Sequence, residues 1–179
     1  MISFFVAITR ASERIFRKRG NTMMTIALDR IDTKLLGVLQ DNGRATNLEL
    51  AEAINLSPAQ TLRRHRRLEE AGLIRRYETR LDATALGLGV VAFIQVKMER
   101  GHIRDLGKFI KLVVELPQVL ECFSVTGQTD YMLKVVERDL KSLSSFLLDT
   151  LMRIPGVSSV NSTVCLEELK STSALPLLG

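Results

Sequence analysis

Two helix-start signatures stand eleven residues apart in this chain, and that spacing constrains the fold more than any other feature. Thr46-Asn-Leu-Glu49 and Ser57-Pro-Ala-Gln60 each have the form of a capping box. In such a box a hydroxyl accepts from the backbone N–H three residues on, and the acid or amide there reaches back. Pro58 falls at the first helical position, where its missing N–H costs nothing. A helix opened at Thr46 must therefore end before Ser57, with Leu50, Ala51 and Ile54 as its apolar positions and Asn55 closing it. After a turn of about three residues the next helix runs to Ala71, and Gly72 stops it. Upstream, Asp29 caps a helix in which Ile31, Leu35, Val38 and Leu39 share one face. Asn42-Gly43 ends that helix, with Gly43 free to take positive φ. Three helices, the last two joined by a tight turn, make a helix-turn-helix.

The second half of the chain alternates between two periods. Val90–Met98, Val119–Thr126, Tyr131–Glu137 and Val157–Leu166 read as strands, rich in β-branched and apolar residues. Ile103–Leu116 has apolar residues at helical spacing, and Asp139 can cap a second helix carrying Leu140, Leu143, Phe146, Leu147 and Leu151. The order βαββαβ is the ferredoxin-like arrangement. Its second and fourth strands lie at opposite sheet edges, so Cys122 and Cys165 read as packing residues and not as an internal disulfide. Leu73–Leu81 reads as a short extended segment.

Charge follows the same division. Residues 29–80 hold ten basic and eight acidic side chains, residues 81–179 ten basic and eleven acidic, and residues 1–28 five basic against one acidic. The excess of +5 therefore sits in the first half, as expected of a polyanion-binding module joined to a near-neutral one. Two cysteines far apart and two histidines, His65 and His102, give no metal-ligand spacing, and no metal or cofactor is expected. No apolar run is long enough to span a bilayer. The stretch Ile2–Ile8 has its positive charges after it, the wrong order for a secretory signal. These features suit a cytoplasmic protein. Residues 1–27 read as a mobile extension, with Met23 and Met24 as alternative starts; the competing reading is a basic arm that touches DNA.

Around the third helix, at about 100° per residue, Thr61, Leu62, His65 and Leu68 fall on one side. Gln60, Arg63, Arg64 and Arg67 fall on the other. Guanidinium forks suit phosphate oxygens and the guanine O6/N7 edge, and Gln60 suits adenine. A solvated charged face is the bland alternative, but the two capped helices and their turn favour contact with double-stranded DNA through the major groove. The expected DNA-contacting set is Asn47, Ser57, Gln60, Thr61, Arg63, Arg64 and Arg67. His65 reads as a structural histidine in the apolar seam.

A second candidate site is the turn Gly127-Gln128-Thr129-Asp130-Tyr131. Gly127 can present backbone N–H groups to a carboxylate. Asp130 can accept from an α-ammonium, and Tyr131 offers a ring and a hydroxyl. The bland alternative is a plain hairpin in which Asp130 caps its own backbone.

The opening Leu28-Asp-Arg-Ile-Asp-Thr-Lys-Leu-Leu36, the Asp41-Asn-Gly-Arg-Ala45 turn, Leu56-Ser-Pro58, Arg64-x-x-Arg67-Leu-Glu-x-x-Gly72 and Gly127-Gln-Thr-Asp-Tyr131 together resemble the Lrp/AsnC (leucine-responsive/asparagine regulator) family. The resemblance covers roughly Leu28 to Lys170. It implies an α+β chain, a winged helix-turn-helix over residues 28–81 joined to a ferredoxin-like sensing and oligomerisation domain over 90–170; residues 82–89 read as a linker between them and 171–179 as a tail. It also implies a transcription regulator, dimers that assemble further, commonly to octamers, and an amino-acid effector held near Gly127–Tyr131 between subunits. Three features depart from the family. His65 stands where an aliphatic residue is usual, Gln128 where several members carry an acid, and residues 1–25 have no counterpart. Two other functions compete. One is a ligand-independent architectural DNA binder. The other is a siroheme decarboxylase-like enzyme, which some relatives are. Such an enzyme needs histidines and arginines around a porphyrin-sized pocket, and the second half has only His102. A regulator and not an enzyme is therefore expected.

Overall fold

The computed structural model describes residues 27–99 and 103–177, the side chains of 103–106 excepted. Residues 1–26 of the expected extension, and His102, lie outside the described residues. Contacts divide the chain into two units. One comprises Leu81–Leu169, and the other residues 27–80 with residues 170–177.

The helical unit contains α1 (Arg30–Asp41), α2 (Asn47–Ile54) and α3 (Pro58–Glu70). All three open on a complete capping box, built by Asp29 with Asp32, Thr46 with Glu49 and Ser57 with Gln60. Asn55 takes the left-handed conformation at φ 55° and closes α2. Leu35, Leu39, Leu50, Ile54 and Leu68 form the core, one or two residues from each helix. Gly43 differs from expectation. Its φ is not positive, because Asn42 turns the chain instead: its backbone and side-chain oxygens accept from the Ala45 and Arg44 N–H groups. Residues 73–81 contain no strand. The expected tail is docked against its unit. The Gln40 side-chain amide donates to the Leu175 carbonyl at 3.1 Å and accepts from its N–H at 2.6 Å. Arg80 donates to the Ser171 carbonyl at 3.1 Å.

The second unit contains β1 (Val90–Met98), α4 (Ile103–Val113), β2 (Val119–Ser124), β3 (Tyr131–Glu137), α5 (Leu140–Ser145) and β4 (Val157–Val164). Beyond α5 the helix continues as a π-turn, Phe146–Thr150, and a short 3₁₀ turn, Leu151–Arg153. The strands form an antiparallel sheet in the order β2-β3-β1-β4, the ferredoxin-like order that the βαββαβ pattern implies. Cys122 and Cys165 belong to opposite edges of it. Alternate residues of a strand face opposite sides of the sheet. Ala92, Ile94, Val96, Leu133 and Val135 point to the helices and pack with Phe109, Val113, Leu143 and Phe146. Val91, Phe93, Met132 and Phe123 therefore point to the other face.

Candidate nucleic-acid interface and effector turn

Helix α3 buries a stripe at i, i+3, i+4 and i+7, but not the stripe its hydrophobicity suggests. Thr61 and Leu68 are fully buried, while Leu62 is 39% exposed. Arg64 and His65 complete the stripe, each half-buried. The guanidinium of Arg64 donates to Asp29 Oδ2 at 2.7 Å and to Asp32 Oδ1 at 2.8 Å. Arg67 donates to Asp32 Oδ2 at 2.5 Å. Asp32 is 1% exposed, and Arg64 and Arg67 are its ion-pair partners. Backbone hydrogen bonding from Asp32, and then the Arg64 guanidinium, hold the Asp29 carboxyl below its usual range; the two carboxylates in turn raise Arg64. The acids at the start of α1 thus brace α3. His65 sits within reach of Tyr77 Oη at 2.6 Å, and that hydroxyl donates to Glu69 at 3.0 Å, so the segment after α3 is tied back onto it. Burial foremost, with Glu69, pushes Tyr77 up to about 12.

This geometry sorts the expected DNA contacts. Gln60, Arg63 and Arg67 lie exposed, joined by Arg66, which is outside the expected set, and by Leu62, which was expected in the apolar seam. Arg64 does not lie opposite the seam as expected; it is a brace within it. Thr61 is off the surface, its hydroxyl donating to the Ser57 carbonyl at 3.0 Å. Asn47 is half-buried and donates to the Pro58 carbonyl at 2.9 Å, which joins α2 to the start of α3. Ser57 caps α3 and is itself exposed. The signal that could have placed Arg64 was the pair Asp29 and Asp32: two acids at the start of α1 need a cation from a packed neighbour.

The Gly127–Tyr131 turn connects β2 to β3. Gly127 has φ 123°, a conformation that disfavours any side chain there. The Asp130 N–H donates to the Val96 carbonyl at 3.0 Å, and Asp130 Oδ2 accepts from the Met98 N–H at 2.7 Å. One carboxylate oxygen is thus committed to β1, while Oδ1 has no partner among the described residues. Gln128 is exposed and Thr129 half-buried. Tyr131 departs from expectation. It is 4% exposed, and its ring lies 4.8 Å from that of Phe109 in the core, so it offers no open face to a ligand. Burial pushes its hydroxyl up to about 12. The core-facing parity of β3 dictates this, since Tyr131 shares its side with Leu133 and Val135.

A capped helix-turn-helix with an arginine-bearing third helix, joined in one chain to a ferredoxin-like sheet, defines a DNA-binding transcription regulator with a ligand-binding module. Family models match both parts: a winged helix-turn-helix DNA-binding domain over residues 28–75 and an Lrp/AsnC ligand-binding domain over residues 91–175. The chain is 43% identical over 150 residues to the Bkd operon transcriptional regulator of Pseudomonas aeruginosa, covering 84% of this chain and 98% of that protein. It is 36% identical over 148 residues to the leucine-responsive regulatory protein of Escherichia coli, covering 83% and 90%. Among solved structures, a transcriptional regulator of Neisseria meningitidis in complex with L-Met aligns with TM-score 0.82 at 43% identity, covering 84% of this chain and 97% of that one. The chain belongs to the Lrp/AsnC family of transcription regulators.

Proposed function

We propose that this regulator, acting in the cytoplasm, reads double-stranded DNA with the exposed face of α3 and answers to an amino acid bound at the Gly127–Tyr131 turn of an assembled oligomer. The observation that carries the effector reading is the turn itself. Gly127 opens the backbone, and Asp130 keeps one oxygen free while the other anchors it to Met98. A rigidly held carboxylate beside exposed backbone N–H groups suits an α-ammonium and an α-carboxylate. That the related Neisseria protein was solved with L-Met supports an amino acid as the ligand class. The buried Tyr131 takes no direct part; it fixes the end of β3 from which the turn departs. The sheet face bearing Phe93 and Phe123 supplies the dimer contact, and further assembly to octamers follows the family pattern.

A second reading has one observation in its favour. Asp130 already ties the turn to β1, which is what a plain hairpin requires, and a ligand-independent architectural protein would need no more. Calorimetry of the wild type and Asp130→Asn with a panel of amino acids decides between them. The effector reading expects an amino acid whose binding weakens at least tenfold, about 1.4 kcal/mol, in Asp130→Asn, with a matching change in sedimentation. If no amino acid binds in a manner that requires Asp130, the architectural reading stands.

A further inference from the structure

The far end of β3 holds a second feature that the effector turn does not explain. Glu137 continues the parity of Tyr131, Leu133 and Val135, so its side chain enters the helix side of the sheet and is 8% exposed. Among the described residues no hydrogen bond or ion pair reaches its carboxylate. Glu137 lines a cavity of ≈ 630 Å³ together with Gln118, Arg138, Lys141, Phe146 and Asp149. Gln118 is held in place because its carbonyl accepts from the Val136 N–H at 3.0 Å. Its side-chain Oε1 is fully buried and has no partner. A carboxylate and an orphaned amide oxygen thus line the same space. What they lack is a donor, and a positively charged one meets both needs. The π-turn Phe146–Thr150 lies in the cavity wall, and an interruption of this kind in a helix often marks a functional site.

We propose that this cavity binds the ammonium group of a small organic amine, with Glu137 as counter-ion and Gln118 Oε1 as acceptor. The seven residues of β3 separate it from the effector turn by about 20 Å, so it is a distinct site and does not depend on the reading of that turn. An ammonium can come from an α-amino acid or from a simple aliphatic amine. In the first case the carboxylate meets Lys141 or Arg138 at the mouth; in the second those cations contribute nothing.

The test is calorimetry on the full chain with two probes, ethylamine and L-alanine. Asp130→Asn serves as background, so that failure at the effector turn is read separately. At least one probe should bind this background. Glu137→Gln, which keeps size and shape, should weaken that binding tenfold or more while the melting temperature is retained. If Glu137→Gln does not fold, Gln118→Leu should produce the same loss. Lys141→Ala separates the sources: loss for L-alanine alone identifies a zwitterion, and ethylamine binding that ignores Lys141 identifies a plain amine. Absence of binding by both probes at millimolar concentration overturns the proposal. So does unchanged affinity in a folded Glu137→Gln or Gln118→Leu variant.

Discussion

Arg63 and Arg64 are neighbours on one helix with opposite fates. Arg64 turns into the seam and meets two carboxylates of α1, whereas Arg63 stays exposed. Their deletions should therefore separate cleanly. Arg64→Ala leaves the nearly inaccessible Asp32 with Arg67 as its remaining ion-pair partner, and should destabilise the helical unit by about 1–3 kcal/mol. Arg63→Ala should leave the melting temperature unchanged and lower operator affinity, reducing the salt slope by about 0.9 if it neutralises a phosphate. Thermal melts beside a salt series of DNA titrations check both; an Arg64→Ala protein with wild-type stability would contradict the brace. The sequence made the arginine-rich helix legible but not its rotation. Apolarity alone assigns Leu62 to the seam, and charge alone assigns Arg64 to the outside. Packing chose the reverse, since Thr61, Arg64, His65 and Leu68 are the set related by helical spacing, and the partner acids lie on another helix.

At the scale of the elements, helix starts were the most readable feature of the chain, because a cap is satisfied within three residues. Thr46, Ser57, Asp29 and Asp139 all cap where the pattern puts them. The docking of the C-terminal residues on α1 was not readable, because Gln40 and Leu175 are 135 positions apart and nothing local announces their pairing. The burial of Tyr131 follows from strand parity, whereas its ring and hydroxyl taken alone suggest a ligand contact. The caps also give a pH dependence. Hydrogen bonds from the first-turn backbone at Asp32 and Ser142 hold Asp29 and Asp139 below the usual carboxylate range, and the Thr46 backbone does the same for Glu49. A folded pKa below the unfolded one means that the folded state favours the ionised form. This stabilisation is full above the unfolded values of about 3.9 for Asp and 4.3 for Glu. It is lost as pH falls through that range toward the depressed folded values. Melting temperature should therefore be flat near neutrality and fall below about pH 4.5. Asp29→Asn and Glu49→Gln should each flatten part of that fall. An acid limb identical to wild type in both variants would remove the caps as its cause.

At the scale of the whole molecule, the sheet has one face packed by helices and one face that the described residues leave partly open. Phe93 is 38% exposed and Phe123 49%. The register places them in adjoining rows: Phe93 faces Lys134, which faces Glu121, while Gln95 faces Met132, which faces Phe123. The result is a strip of aromatic and thioether surface edged by charge, the composition of an interface centre with a polar rim. In the assembly proposed above, a second copy of the chain covers this strip by two-fold symmetry, so that each residue contributes twice. In that proposed dimer the same symmetry presents two α3 helices to DNA, with half-sites about one helical turn apart. Assembly and DNA affinity should therefore fail together. Phe93→Glu and Phe123→Glu each place a carboxylate on the strip and, through the symmetry, two in the interface. The mass by light scattering should fall toward that of one chain, and operator affinity should drop at least tenfold, because a single helix-turn-helix reads only half of the site. Far-ultraviolet circular dichroism should stay native, since neither ring lies in the core of its own chain. A Phe93→Glu, Phe123→Glu double variant that keeps its assembled mass would place the subunit contact on another surface.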